Sequence, residues 1–122
     1  MSASPNAVVW AEIPVGDLAR ARAFYAAVLR QTLTEQDGGP NPMVTFATDP
    51  AGGVAGHLYP GRPAPEGHGN TVHLAAPGAL EDTMARVREA GGKVVGEPIT
   101  IPAGRFFYAL DPDGNSVGFF ES

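Results

Sequence analysis

Glu12 and His73 are the residues whose types and placing could do chemistry together. Each sits inside an apolar, β-suited run, VVWAEIPV and TVHLAA. They lie 61 positions apart, as do Trp10 and Thr71. In an extended strand side chains alternate between faces, so Glu12 shares a face with Trp10 and His73 with Thr71. A carboxylate and an imidazole brought together can move a proton, since burial raises the pKa of one and the charge of the other lowers it. They could also be two ligands of a displaced metal site, although metal sites need three or four protein groups. Or they orient a bound molecule, or satisfy one another by an internal hydrogen bond.

What must position them is a duplication. FATDPAGGVAGHLY over residues 46–59 and YALDPDGNSVGFFE over residues 108–121 align without a gap at an offset of 62. Phe46 pairs with Tyr108, Asp49 with Asp111, Gly52 with Gly114 and Gly56 with Gly118. Each copy reads as two β-suited runs around an Asp-Pro-x-Gly turn, where Pro presets φ and Gly supplies a positive φ. A pseudo-twofold relating the copies would bring Glu12 close to His73. On the same reading Leu58 and Phe120 lie two residues beyond Gly56 and Gly118, and His57 turns the other way.

The rest of each half has the same order. A strand over residues 8–15 leads through Asp17, a helix N-cap, into a helix over residues 18–30 with Leu18, Ala21, Phe24, Tyr25, Val28 and Leu29 on one stripe. A short strand at 33–35 precedes hairpin strands at 43–48 and 54–59. The second half reads as a strand at 71–76, a helix at 79–90 closed by Gly91-Gly92, short extended segments at 93–95 and 98–101, and a hairpin of 105–110 and 116–121. Between them, PGRPAPEGHGN over residues 60–70 is a connector, and its His68 is expected to be solvated. The chain therefore reads as one α+β domain, 1–122, of two tandem βαβββ modules, 8–59 and 71–121. A sheet with a helix on one face only must cover the other, so the halves should join into a larger curved sheet.

Composition excludes several classes. The net charge of −5, with eight scattered Lys and Arg, argues against nucleic-acid binding by a basic face. The absence of Cys removes disulfide and thiol chemistry. No apolar run is long enough to span a membrane and no leader pattern opens the chain, so a cytoplasmic protein is expected.

Three stretches, EIPVGDLARARAFYAAVL, AGGKVV and GRFFYALDPDGNSVGFFE, together with the duplicated βαβββ order, resemble the vicinal oxygen chelate superfamily. This is the glyoxalase, bleomycin-resistance protein and extradiol dioxygenase group. The resemblance implies two modules forming a cupped, incomplete barrel, a ligand inside the cup and assembly as a homodimer. It does not settle the reaction, because the fold hosts isomerases, dioxygenases, thiol transferases and drug-binding proteins.

The resemblance also implies where a divalent metal would sit in the enzymes of the group. Carried over by distance from the shared motifs, the four positions are Trp10, Gly56, Thr71 and Gly118. Trp and Gly offer no ligand and a Thr hydroxyl is a poor one, so no metal and no cofactor is expected.

The expected function is accordingly binding, without metal, of a small apolar or aromatic molecule, as in sequestration or resistance. The expected lining is Trp10, Phe46, Leu58, Phe107 or Tyr108, and Phe120, with Glu12, Thr71 and His73 as the polar few. A metal-independent isomerase or lyase using Glu12 and His73 is the alternative, and a metal-dependent glyoxalase or dioxygenase a third. Arg105 is open to two readings, a clamp on an anionic ligand or a surface arginine.

Overall fold

The computed structural model describes residues 7–36, 42–47 and 53–121. The first module runs β1 (Ala11–Val15), α1 (Leu18–Leu29), β2 (Thr34–Gln36), β3 (Met43–Thr45) and β4 (Gly56–Pro60). The second runs β5 (Val72–Ala76), α2 (Leu80–Glu89), β6 (Lys93–Ile101), β7 (Gly104–Leu110) and β8 (Ser116–Glu121). Each module forms one four-stranded sheet, in the orders β1-β4-β3-β2 and β5-β8-β7-β6. The first strand of each module pairs in parallel with the last, and the other pairs are antiparallel. The two βαβββ modules of the sequence are therefore present, and among the described residues no hydrogen-bonded ladder closes them into one barrel.

The helices share one face. Ile13, Val15, Leu58 and Val44 from the first sheet and Phe107, Ala109, Val117 and Phe119 from the second form one buried cluster with Phe24, Tyr25 and Val28 of α1 and Leu80 and Val87 of α2. Burying each large side chain stabilises the fold by about 1.5–3 kcal/mol. Asp17 caps α1 as expected, accepting from the Arg20 N–H at 3.0 Å.

Two boundaries differ from expectation for physical reasons. β1 begins at Ala11, opposite the first residue of β4, Gly56, so Val8–Trp10 have no strand beside them. The segments expected at 93–95 and 98–101 are one strand, β6, whose register shifts between Val95 and Ile99. Gly96 takes φ +72 there and Pro98 has no N–H, so a bulge on this edge strand absorbs both. The Asp49-Pro50-Ala51-Gly52 turn lies outside the described residues. Its mate is as expected, with Gly114 at φ +84 and its N–H donating to the Asp111 carbonyl at 2.9 Å.

That second turn also clasps the modules together. Asp111 is buried and accepts from the Tyr25 hydroxyl of α1 at 2.7 Å, from the N–H of Asp113 and Asn115, and from Asn115 Nδ2. Asn115 Nδ2 also donates to the Pro14 carbonyl at 2.8 Å, and Asp113 accepts from the Gly16 N–H and the Arg20 guanidinium. Asp111 and Asp113 thus form the turn and join the halves as well. Among the described residues no helix is long and apolar enough to cross a membrane.

Candidate functional site

The candidate site is the sheet face turned away from the helices, and strand register decides which residues reach it. On β1 the core takes Ile13 and Val15, leaving Trp10 and Glu12 outward. Glu12 stands opposite His57, so His57 points outward with it, while Leu58 faces the core with Ile13. On β5 His73 points outward, and Thr71 stands just before the strand. His73 stands opposite Gly118, and Gly118 opposite Tyr108. Phe106 faces Phe120 one step along the same side.

This placing corrects the sequence reading at three points. His57 shares the outward face with Glu12 and does not turn away from it. Leu58 and Phe107 are fully buried against the helices and do not line the open face. The cause is a slip between sequence repeat and strand register. The two hairpins pair alike at an offset of 62, Thr45 with His57 as Phe107 with Phe119. The parallel pairs match at an offset of 61 instead, Glu12 with His57 as His73 with Gly118. Matching the turns at an offset of 62 therefore misassigns β4 by one residue. The structural mate of Gly118 is His57, not Gly56. Phe106 was missed, although strict alternation from Tyr108 would have found it.

His57 is the centre of a short polar chain. The Trp10 indole N–H donates to His57 Nδ1 at 2.8 Å. An indole can only donate, so Nδ1 must accept and the imidazole proton sits on Nε2. Nε2 lies 3.3 Å from Glu12 Oε1. Glu12 therefore faces a neutral histidine, and that histidine is His57. His57 is buried, whereas the Glu12 side chain remains 66% exposed.

His73 is instead the centre of an aromatic group. Its ring lies 5.2 Å from Phe106, 5.8 Å from Tyr108 and 6.5 Å from Phe120, edge-on to each. Phe106 and Phe120 stack at 5.6 Å. The ring occupies the space where a side chain at position 118 would be, since a Cβ on Gly118 would collide with it.

Between the edge strands β1 and β5 lies a cleft of about 800 Å³, lined by Trp10, Glu12, Thr71 and His73 among others. The duplication thus brings Glu12 and His73 to one cleft, although Glu12 makes its contact with His57. Thr71 Oγ1 is 2.6 Å from Ser116 Oγ. His68, from the connector, lines this cleft too. Phe46 is buried with its ring 5.5 Å from Tyr25, and it lines an adjoining cleft of about 310 Å³. Arg105 is tied to Glu81 at 3.0 Å and lies 3.2 Å from Glu121, so it serves the sheet edge and the start of α2.

The donor set does not fit a divalent metal. Of the positions carried over from the resemblance, Trp10, Thr71 and Gly118 offer no good ligand, and the register puts His57 in place of Gly56. With Glu12 beside it there are two candidate ligands. No group of three His, Cys, Asp or Glu that could hold a metal occurs among the described residues.

Residues 7–119 match the family model of the Glyoxalase/Bleomycin resistance protein/Dioxygenase superfamily. The chain is 34% identical, over 110 residues, to the Mycobacterium tuberculosis protein named "Putative glyoxylase CFP32", covering 88% of this chain and 41% of that one. It is 32% identical over 122 residues to the anthracycline biosynthesis protein DauV of Streptomyces sp. strain C5, covering 96% of this chain and 42% of DauV. The chain thus spans about two-fifths of the length of these curated relatives. Among solved structures, a glyoxalase/bleomycin resistance protein from Albidiferax ferrireducens T118 superposes with a TM-score of 0.69 at 21% identity, covering 96% of this chain and 99% of that one. The chain belongs to the glyoxalase/bleomycin resistance protein/dioxygenase superfamily.

Proposed function

We propose that the chain binds a small, largely apolar or aromatic molecule in the cleft between β1 and β5 and holds it without metal. The observation that carries this reading is the ring group of His73, Phe106, Tyr108 and Phe120 on the open face, beside a cleft walled by Trp10. Rings presented away from the core, with few polar groups among them, are what pockets for apolar ligands use. The likeness to DauV, whose name refers to anthracycline biosynthesis, supports a polycyclic aromatic ligand. Sequestration needs no catalytic group.

The lone tryptophan supplies the test. Trp10 fluorescence should change saturably with at least one member of a panel of polycyclic aromatic compounds. No change with any of them would overturn the reading.

A homodimer and a cytoplasmic setting belong to the same proposal. Val95 and Ile99 of β6 are exposed beside Tyr108 and Phe106, an apolar strip suited to cover by a second copy. Sedimentation at micromolar concentration should give twice the chain mass, and a monomer would refute the dimer.

The second reading is a metal-independent isomerase or lyase, favoured by the contact of Glu12 with His57. In that case Glu12→Gln would abolish turnover while leaving ligand binding largely intact.

A further inference from the structure

Among the described residues, the cleft between β1 and β5 is lined by a single carboxylate, Glu12, and by no Lys or Arg. The adjoining cleft has no Asp, Glu, Lys or Arg among the described residues that line it. The stretches outside the described residues contain no Lys or Arg either. The remaining titratable groups in the cleft lining are His68 and His73. Among the described residues no fixed cation neutralises Glu12 at this site.

His57 does not neutralise it either. Because Nδ1 accepts from Trp10, His57 presents a neutral N–H towards Glu12 Oε1. That contact, at 3.3 Å, leaves the charge of the carboxylate in place. The other oxygen, Oε2, has no partner among the described residues, and the side chain is 66% exposed beside Trp10 and Pro14. An exposed carboxylate beside the Trp10 ring suits a ligand with a cationic nitrogen on an aromatic body. It disfavours an anionic ligand.

We infer that the cleft selects aromatic ligands bearing a protonated amine over neutral or anionic counterparts. Glu12 is the discriminating residue and His57 the residue that positions it. The inference rests on the binding reading above and gives it a ligand class.

The test uses three polycyclic aromatic probes of one size, anthraquinones with a 2-aminoethyl, a 2-hydroxyethyl or a carboxymethyl arm. Each is titrated against the full chain at pH 8 and low salt while Trp10 fluorescence is followed. The amine should bind about three- to tenfold more tightly than the alcohol, and the acid more weakly than both. High salt should shrink the preference. Glu12→Gln should bring the amine to the affinity of the alcohol, whose own binding changes little. His57→Phe should reduce the preference part-way, and His57→Gln, which keeps an N–H donor, should restore some of it.

Equal binding of amine and alcohol, or a preference that survives Glu12→Gln, would overturn the inference and leave the binding reading standing. Binding of none of the three probes would overturn the binding reading and this inference with it.

Discussion

The imidazole of His73 lies over Gly118, in the space that any larger residue at that position would need. The two face each other across the parallel pair β5–β8, and the ring is held edge-on to Phe106, Tyr108 and Phe120. The aromatic face of the second sheet depends on the missing side chain.

Gly118→Ala should therefore destabilise the fold by about 1–2 kcal/mol. The sign is diagnostic, because Ala for Gly in an unstrained strand ordinarily stabilises. Urea unfolding would measure it, and an unchanged or raised midpoint would show that His73 does not need the space.

Tyr25 and Asp111 supply a second expectation. Both are buried, and their bond spans the two modules. Tyr25→Phe removes the donor while Asp111 keeps three others, so it should cost about 1–2 kcal/mol. Asp111→Ala orphans those donors together and should cost about 3 kcal/mol or more. Denaturant midpoints of the two variants, with Asp111→Ala the lower, would check the order.

The same pair gives an alkaline signature. Burial first, then the charge and hydrogen bond of Asp111, hold the Tyr25 hydroxyl well above the ordinary tyrosine value. The folded state thus keeps a proton that the unfolded chain releases near pH 10. Stability from this source is whole below about pH 10 and falls as pH rises beyond it. Phenolate absorbance at 295 nm should show one of the three tyrosines ionising only with unfolding. In Tyr25→Phe the alkaline decline should be shallower.

Trp10 reports on His57. His57→Leu removes the acceptor of the indole N–H, so the indole loses its tether to β4. The emission of this lone tryptophan should shift and its anisotropy fall, with little loss of stability because Trp10 is 45% exposed. An unaltered spectrum would mean that the bond does not hold the ring in solution.

Glu121 closes the second helix. Ala79 offers no capping side chain, and Glu121 Oε2 accepts from the Leu80 N–H at 2.8 Å in its place. Glu121→Ala should cost about 1 kcal/mol, as the loss of a helix cap does. A thermal midpoint equal to that of the parent would refute the role.

Much of this architecture was legible in the sequence. The turn at Asp111–Gly114, the cap at Asp17 and the apolar stripe of α1 are local signals, and local signals decide turns, caps and helix faces. Trp10, Glu12, Thr71 and His73 were placed on the open face because alternation along one short strand is reliable. What failed was alternation carried across a hairpin. Leu58, His57 and Phe107 were assigned by matching turns, and strand pairing obeys hydrogen bonding between neighbours, whatever the turn motif. The partnership of Glu12 with His57 could not be read for the same reason. The joining of Tyr25 to Asp111 depends on how the modules dock, which no single stretch of sequence encodes.

The slip between the repeat and the pairing of β4 with β1 also breaks the symmetry of the two halves. A freshly duplicated chain would present two equivalent half-sites, and a molecule seated between them could lie either way round. Here the one-residue slip of β4 against the repeat puts a histidine where the other half carries a glycine. On the first sheet the outward face carries the polar chain of Trp10, His57 and Glu12, and on the second it carries the rings around His73. The duplicated face has acquired a head and a tail, and on the binding reading proposed above a guest without twofold symmetry would fit it in one orientation.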